Sequence, residues 1–275
     1  ANMDRKRQMI DTQTTIENAA KIQAEIDAGA LFIVNHSGGK DSQAMYSVIT
    51  SMVPADQIVV VHADLMDADW ADLKTHINAN ISHELNIVSA IDKNKNDKSF
   101  LDMVAARHAK LGGSTSPWPS PSIRQCTSDL KRGPIEVFIK AEMKRRGIDR
   151  AVNCMGIRAE ESSARSKLSA WKINSRFTTK TTARQVIDFL PIFDLLEDDV
   201  WALIKASGQT RHFAYDLGMS RLSCCFCIMA SDSDLLVAAK ANPDLYRKYV
   251  ELERSTGFTM MMDRRTLEEH TVNNQ

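Results

Sequence analysis

Five short apolar runs punctuate the chain, and the segments between them repeat their apolar residues at helical spacing. LFIV at 31–34, QIVVVHAD at 57–64, LNIVSA at 85–90, AVNCMGI at 151–157 and QVIDFLPIF at 185–193 read as buried strands. Residues 42–52 predict a helix with Ala44, Met45, Val48, Ile49 and Met52 on one face. Further helices are expected over 68–85, 99–111, 135–146 behind Pro134, LEDDVWALIKASG at 196–208, and 233–254. Ile10, Ile16, Ala19, Ala20, Ile22 and Ile26 predict an N-terminal helix or helix pair within 4–28.

This alternation predicts an α/β fold: an open, mainly parallel twisted sheet with helices on both faces, and a small C-terminal helical region holding cysteines. The expected organisation is a nucleotide-binding α/β domain over 3–208, with a helical segment over 209–275 packed on it. Ligands of such sheets bind beyond the carboxyl ends of the strands. GGSTSPWPSPS at 112–122 predicts a mobile loop outside the core. RAEESSARSK and residues 167–184 predict a lid or substrate loop.

Composition narrows the class of molecule. The 275 residues are 43% hydrophobic and 25% charged, ordinary globular values. Lys plus Arg and Asp plus Glu number 35 each, so the formal charge of zero argues against holding nucleic acid by bulk electrostatics. A local patch stays open as a nucleic-acid contact, either Lys140, Lys144, Arg145 and Arg146 on one helix face or segment 172–184. No apolar run of about 18 residues predicts a membrane span. The N-terminal residues hold no apolar signal core, so a cytoplasmic protein is expected. A homo-oligomer is left open.

Chemistry concentrates first in Ser37-Gly38-Gly39-Lys40-Asp41-Ser42, between the first strand and its helix. Glycines let backbone N–H groups approach an anion, and the helix N-terminus adds partial positive charge. Lys40 adds a mobile full charge, Ser37 and Ser42 add hydroxyl donors, and Asp41 is placed to cap the helix. The loop is not a Walker A motif, because Val34 stands where its first glycine belongs and Asp41 where Ser or Thr follows the lysine.

SGGKDS after a buried strand resembles the PP-loop of the adenine-nucleotide α-hydrolase superfamily, which holds the phosphate or sulfate end of a nucleotide. HAD at 62–64 resembles its strand-end acid, which would place Asp64 near the ribose or adenine. GIRAEESSAR at 156–165 resembles its G-x-R-x-x-E-S-x-x-R segment, carrying over Arg158, Glu161, Ser162 and Arg165 to nucleotide binding, with the guanidiniums on phosphate or sulfate oxygens. PIFDLLEDDVWALI at 191–204 resembles a further family segment. Overall the chain is most similar to the phosphoadenosine phosphosulfate (PAPS) reductase family. CTSDLKRGP and CCFC also resemble the sulfur-transfer protein of DNA phosphorothioation systems. The resemblance implies PAPS or ATP as ligand, Mg²⁺ accompanying ATP, Lys40, Asp41 and Arg158 as candidate catalytic residues, and Lys131 with Arg132 between nucleotide and thiols. The sulfur donor or acceptor is not specified.

Three of the five cysteines fall in Cys224-Cys225-Phe226-Cys227, and Cys224-x-x-Cys227 is a two-ligand clip. Cys126 is the expected third ligand. Iron–sulfur members of the resembled family carry a cysteine pair at that place, whereas Thr127 follows Cys126 here. The reading is a 4Fe–4S cluster on Cys126, Cys224 and Cys227, its fourth position open, with Cys225 or His212 as further candidates. A structural zinc and plain buried thiols are the alternatives. Cys154, in a buried strand, reads as a small core residue. Sulfonucleotide reductases use a C-terminal cysteine, but none follows Cys227, and the tail RRTLEEHTVNNQ offers His270. Two readings follow: an enzyme of sulfur transfer or nucleotide α–β cleavage, or a non-catalytic nucleotide-binding subunit or sensor with structural zinc.

Overall fold

The computed structural model describes residues 18–177 and 184–272. After a helix at 18–27 (α1), β1 (Leu31–Asn35) enters α2 (Lys40–Met52), β2 (Ile58–Asp64), α3 (Leu73–Asn80), β3 (Leu85–Ser89) and α4 (Phe100–Leu111). A continuous helical run follows: α5 (Gln125–Thr127), a π turn (Ser128–Arg132) and α6 (Gly133–Arg146). Then come β4 (Arg150–Cys154), β5 (Trp171–Ile173), β6 (Gln185–Phe189), α7 (Glu197–Ala206), α8 (Phe213–Asp216), α9 (Asp232–Ala241), α10 (Pro243–Thr256) and α11 (Leu267–Thr271).

The strands form one sheet in the order β3-β2-β1-β4-β6-β5, parallel except for β5 against β6. This is the expected α/β architecture. The chain runs outward from β1 through β2 to β3, then crosses to β4 on the other side of β1, so strand order reverses between β1 and β4. A crevice opens at the carboxyl ends of such strands.

Strand alternation divides the core. Phe32 and Val34 of β1 pack with Val152, Cys154 and Phe189 under Met45 and Ile49 of α2 and Val200 and Ile204 of α7. Leu31 and Ile33 face the opposite way, toward Ile139 and Met143 of α6. Cys154, on the α2 and α7 side, is fully buried, and burial pushes its thiol up, as suits a core residue. A third cluster joins Trp70, Leu73, Ile77, Phe100 and Met103 to Leu235, Tyr249 and Leu267 from the last three helices.

Four local expectations change. The helix expected over 68–85 is only α3 (Leu73–Asn80), because a short turn at Met66–Ala68 precedes it and the Asp69 carboxylate, accepting the Leu65 N–H at 2.8 Å, folds the chain back first. The helix expected over 233–254 splits at Asn242, whose φ of −131° and ψ of 62° precede Pro243. The 112–122 segment is anchored: Trp118 is buried, its Nε1 donates to the Phe258 carbonyl at 3.0 Å, and its ring stacks on Tyr249. Within 167–184, Trp171–Ile173 form the antiparallel edge strand β5, with Lys172 opposite Asp188. Residues 178–183 of that segment, and Ile10 and Ile16 of the N-terminal helix, lie outside the described residues.

Candidate functional site

β1 delivers His36-Ser37-Gly38-Gly39 directly to the N-terminus of α2. Gly38 has φ of +80°, and a Cβ there would stand 2.3 Å from Leu73 Cδ1, so glycine is required by both backbone and space. The Gly38 N–H donates to His36 Nδ1 at 3.1 Å. Burial, reinforced by His62 and His76, pushes His36 down to about 3, so that ring is neutral and accepts. Gly39 is the N-cap of α2 and offers no side chain to the helix donors. The Lys40 N–H is taken by the Tyr215 hydroxyl at 3.0 Å, which also accepts the Leu222 N–H at 3.3 Å. The N–H groups of Asp41 and Ser42 have no acceptor within the helix, as at any helix start. A Cβ on Gly156 would stand 2.9 Å from the Asp41 carbonyl and 3.1 Å from Ser42 N, so the end of β4 lies against this turn.

A cavity of about 540 Å³ opens beside the loop at the β1–β4 reversal. Its wall takes Ser37 and Ser42 from the loop, Lys131 and Arg132 from the π turn, Arg165 from the segment after β4, and Arg221 and Cys224 from the C-terminal loop. The π turn widens the helix at Ser128–Arg132, the stretch carrying the two cations to the wall. Asp69, Glu136 and Asp188 also line the cavity, so acidic groups share the wall with the cations.

Not every expected residue opens there. Lys40 is 5% exposed and turned away: its Nζ donates to the Ser220 carbonyl at 3.4 Å and stands 3.5 Å from Glu197. Arg158, 3% exposed, pairs with Asp41 at 2.6 Å and with Glu160. Asp41 therefore answers Arg158 and does not cap α2. These three candidates form an ionic cluster behind the loop. Glu161 accepts the Arg158 N–H at 2.9 Å and pairs with Arg165, while the Ser162 hydroxyl accepts the Arg165 N–H at 3.2 Å. Both shape the segment that presents Arg165. Asp64 is buried, accepts from Lys74 Nζ at 2.7 Å and from the Met66 N–H, and these bonds hold it below the usual carboxylate range. The basic helix face is largely self-satisfied: Arg145 and Arg146 both pair with Glu142 at 2.6 Å.

Residues distant in sequence meet at the cysteines. All five are free thiols. Cys126, Cys224 and Cys227 all bear electrostatically on Lys131, whose Nζ lies 3.9 Å from Cys224 Sγ. Burial pushes Cys224 up to about 12 against the opposing pull of Lys131. Cys225 points elsewhere: it is 1% exposed in the third core cluster, its N–H donates to the Ala68 carbonyl, and burial pushes its thiol up. His212 is also committed, with Nε2 3.1 Å from Asp72 and Nδ1 accepting the Ala214 N–H. The His270 ring lies between Asp232 and Asp263, bracing the tail.

Sequence reasoning missed three features. Arg221 carries no motif. Tyr215, which ties the loop to the cysteine segment, sits in an unremarked short helix. A polar row also crosses the strand ends inside the cavity: Asn35 donates to Asn153 at 2.7 Å, Asn153 donates to Asp188 at 2.7 Å, and Asn174 donates to both Asp188 oxygens at 3.1 Å. Its only sequence signal is a polar residue within two otherwise apolar strands, AVNC and VIDF.

The model of a family described as phosphoadenosine phosphosulfate reductase domain matches residues 32–230. An uncharacterised protein of Methanocaldococcus jannaschii is 25% identical over 222 residues, covering 81% of this chain and 47% of its own length. An uncharacterised 37.8 kDa protein of Escherichia phage 186 is 30% identical over 139 residues, covering 50% and 39%. The chain thus spans less than half the length of these curated relatives. Among solved structures, Candida auris PAPS reductase in a phosphate complex aligns with a TM-score of 0.45 at 15% identity, covering 70% of this chain and 80% of that one. Candida glabrata FMN adenylyltransferase with FAD and inorganic pyrophosphate aligns at 0.39 and 16%, covering 71% and 54%.

Proposed function

The chain belongs to the phosphoadenosine phosphosulfate reductase domain family, and from that premise we propose that it binds PAPS or ATP in the cavity beside the His36–Ser42 loop and acts in sulfur transfer or nucleotide α–β cleavage. The observation that carries the reading is one shared wall: the loop hydroxyls of Ser37 and Ser42, the cations Lys131, Arg132, Arg165 and Arg221, and the thiol of Cys224 face a single cavity. The phosphate or sulfate end lies at the loop, where the orphan N–H groups of α2 and the two hydroxyls donate. Arg165, Arg221, Lys131 and Arg132 neutralise its charge. With ATP, Mg²⁺ on the phosphate oxygens completes that neutralisation.

The Cys224-x-x-Cys227 clip with Cys126 supports the cluster reading, because all three thiols bear electrostatically on one cation, Lys131. In this reading the three hold a 4Fe–4S cluster that supplies sulfur or electrons, while Lys131 offsets the negative charge of the thiolates beside it. Anaerobic purification with iron, sulfide and zinc analysis tests this, near four irons per chain being expected and stoichiometric zinc overturning it. Nucleotide binding is tested by calorimetry with ATP and PAPS, and turnover by pyrophosphate release. Binding of neither nucleotide refutes the reading. Binding without turnover of either substrate favours the subunit or sensor.

A further inference from the structure

His62, in β2, is 4% exposed, and its Nδ1 lies 2.9 Å from the His36 carbonyl oxygen. A carbonyl only accepts, so Nδ1 carries a proton, and in the neutral tautomer Nε2 is the nitrogen with the free lone pair. That Nε2 is buried without a hydrogen-bond partner and stands 3.7 Å from Asp69 Oδ2, itself an acceptor. Asp64 adds a second carboxylate, and one ligand atom from each of His62, Asp64 and Asp69 lies within 4.8 Å of the others. The acids are already aimed by backbone donors: Leu65 N–H on Asp69 and Met66 N–H on Asp64, each at 2.8 Å. An imidazole fixed through Nδ1–H to a carbonyl, with oriented carboxylates beside its free nitrogen, is how proteins prepare a metal ligand set.

We propose that His62, Asp64 and Asp69 bind a divalent transition-metal ion on the wall of the cavity. One nitrogen and two carboxylate oxygens suit Mn²⁺ or Zn²⁺ better than Mg²⁺, which takes oxygen ligands. Three protein ligands leave positions open, and both His62 and Asp69 line the cavity. Two cations oppose the ion: Lys74, bound to Asp64 at 2.7 Å, and Lys131, which bears electrostatically on Asp69. The site is distinct from the thiols and does not depend on the nucleotide reading.

The test is titration of Mn²⁺ into the purified full chain without nucleotide, reading the free-ion EPR signal. Mn²⁺ is chosen because thiolates favour softer ions. One ion per chain is expected, with binding weakened at least tenfold by His62→Gln and tightened several-fold by Lys74→Met, which frees Asp64. A C126S/C224S/C227S variant keeps the site. Absence of binding at millimolar Mn²⁺, unchanged affinity in folded His62→Gln, or loss in the triple cysteine variant overturns the proposal. Should His62→Gln fail to fold, Lys74→Met decides: unchanged or weaker binding overturns it.

Discussion

Tyr215→Phe removes one oxygen and leaves a ring packed edge-on against Trp201 at 5.0 Å. That oxygen accepts the Lys40 N–H at 3.0 Å and the Leu222 N–H at 3.3 Å, both residues being buried. An orphaned buried donor costs about 1–3 kcal/mol, and the longer bond belongs at the low end, so the variant loses about 2–3 kcal/mol. At a urea slope of about 2–3 kcal/mol/M the midpoint falls by about 1 M. Tyr246→Phe is the control: its hydroxyl bonds Thr271 Oγ1 at 2.8 Å near the surface, and its loss costs under about 1 kcal/mol. A second readout is pH. Burial pushes Tyr215 up to about 12 from its ordinary 10.0, so the unfolded chain releases the proton first. That part of the stability is full below pH 10 and is lost as pH rises toward 12, and Tyr215→Phe flattens the decline. Equal midpoints for the two Phe variants would show that the Lys40 and Leu222 donors find other acceptors, and would refute the argument.

Three other outcomes are expected. Gly38→Ala meets both a left-handed φ and Leu73, whereas Gly147→Ala meets only a left-handed φ of +69° with nothing within 4 Å, so the first costs about 1–3 kcal/mol more in urea unfolding; Leu73→Ala as background erases the difference. Lys131→Met withdraws the charge that opposes the upward push on Cys224, so alkylation of that thiol in metal-free reduced protein at pH 8, mapped by mass spectrometry, slows by about tenfold. Trp118→Ala costs about 3–5 kcal/mol and exposes the 112–122 segment to limited proteolysis, whereas a free loop would tolerate the change.

Most of the sheet was legible because its strands are continuous apolar runs, the pattern of a parallel sheet covered on both faces. Trp171–Ile173 was not, since an edge strand of three residues with Lys172 and Ile173 exposed has no run to detect. At the site, the glycine turn was readable because a positive φ, as at Gly38, favours glycine. Lys40 was expected at a ligand from its place in the loop and Arg158 from a resembled segment, but Glu197, Asp41 and Glu160 reach them from three separate segments. Such pairings are set by the docking of α7 and the post-β4 turn onto α2, which spacing does not encode. Arg221 and the Asn35–Asn153–Asp188 row were invisible for the converse reason: each residue is ordinary until the fold aligns it.

The third core cluster sets a calendar for the molecule. Cys126 emerges from the ribosome beside residues that form α6, but its partners at Cys224 and Cys227 follow roughly a hundred residues later, several seconds at ordinary elongation speeds of about 5–20 residues per second. The cluster against which Cys126 and Cys224 pack is closed by Leu235, Tyr249 and Leu267. Strands β1 to β6 are therefore synthesised before Cys224 and Cys227, and the three thiols meet only after the last strand of the sheet has been made. Until the segment carrying Leu235, Tyr249 and Leu267 is made and packed, Cys126 stands without the two thiols that share its surroundings in the folded chain.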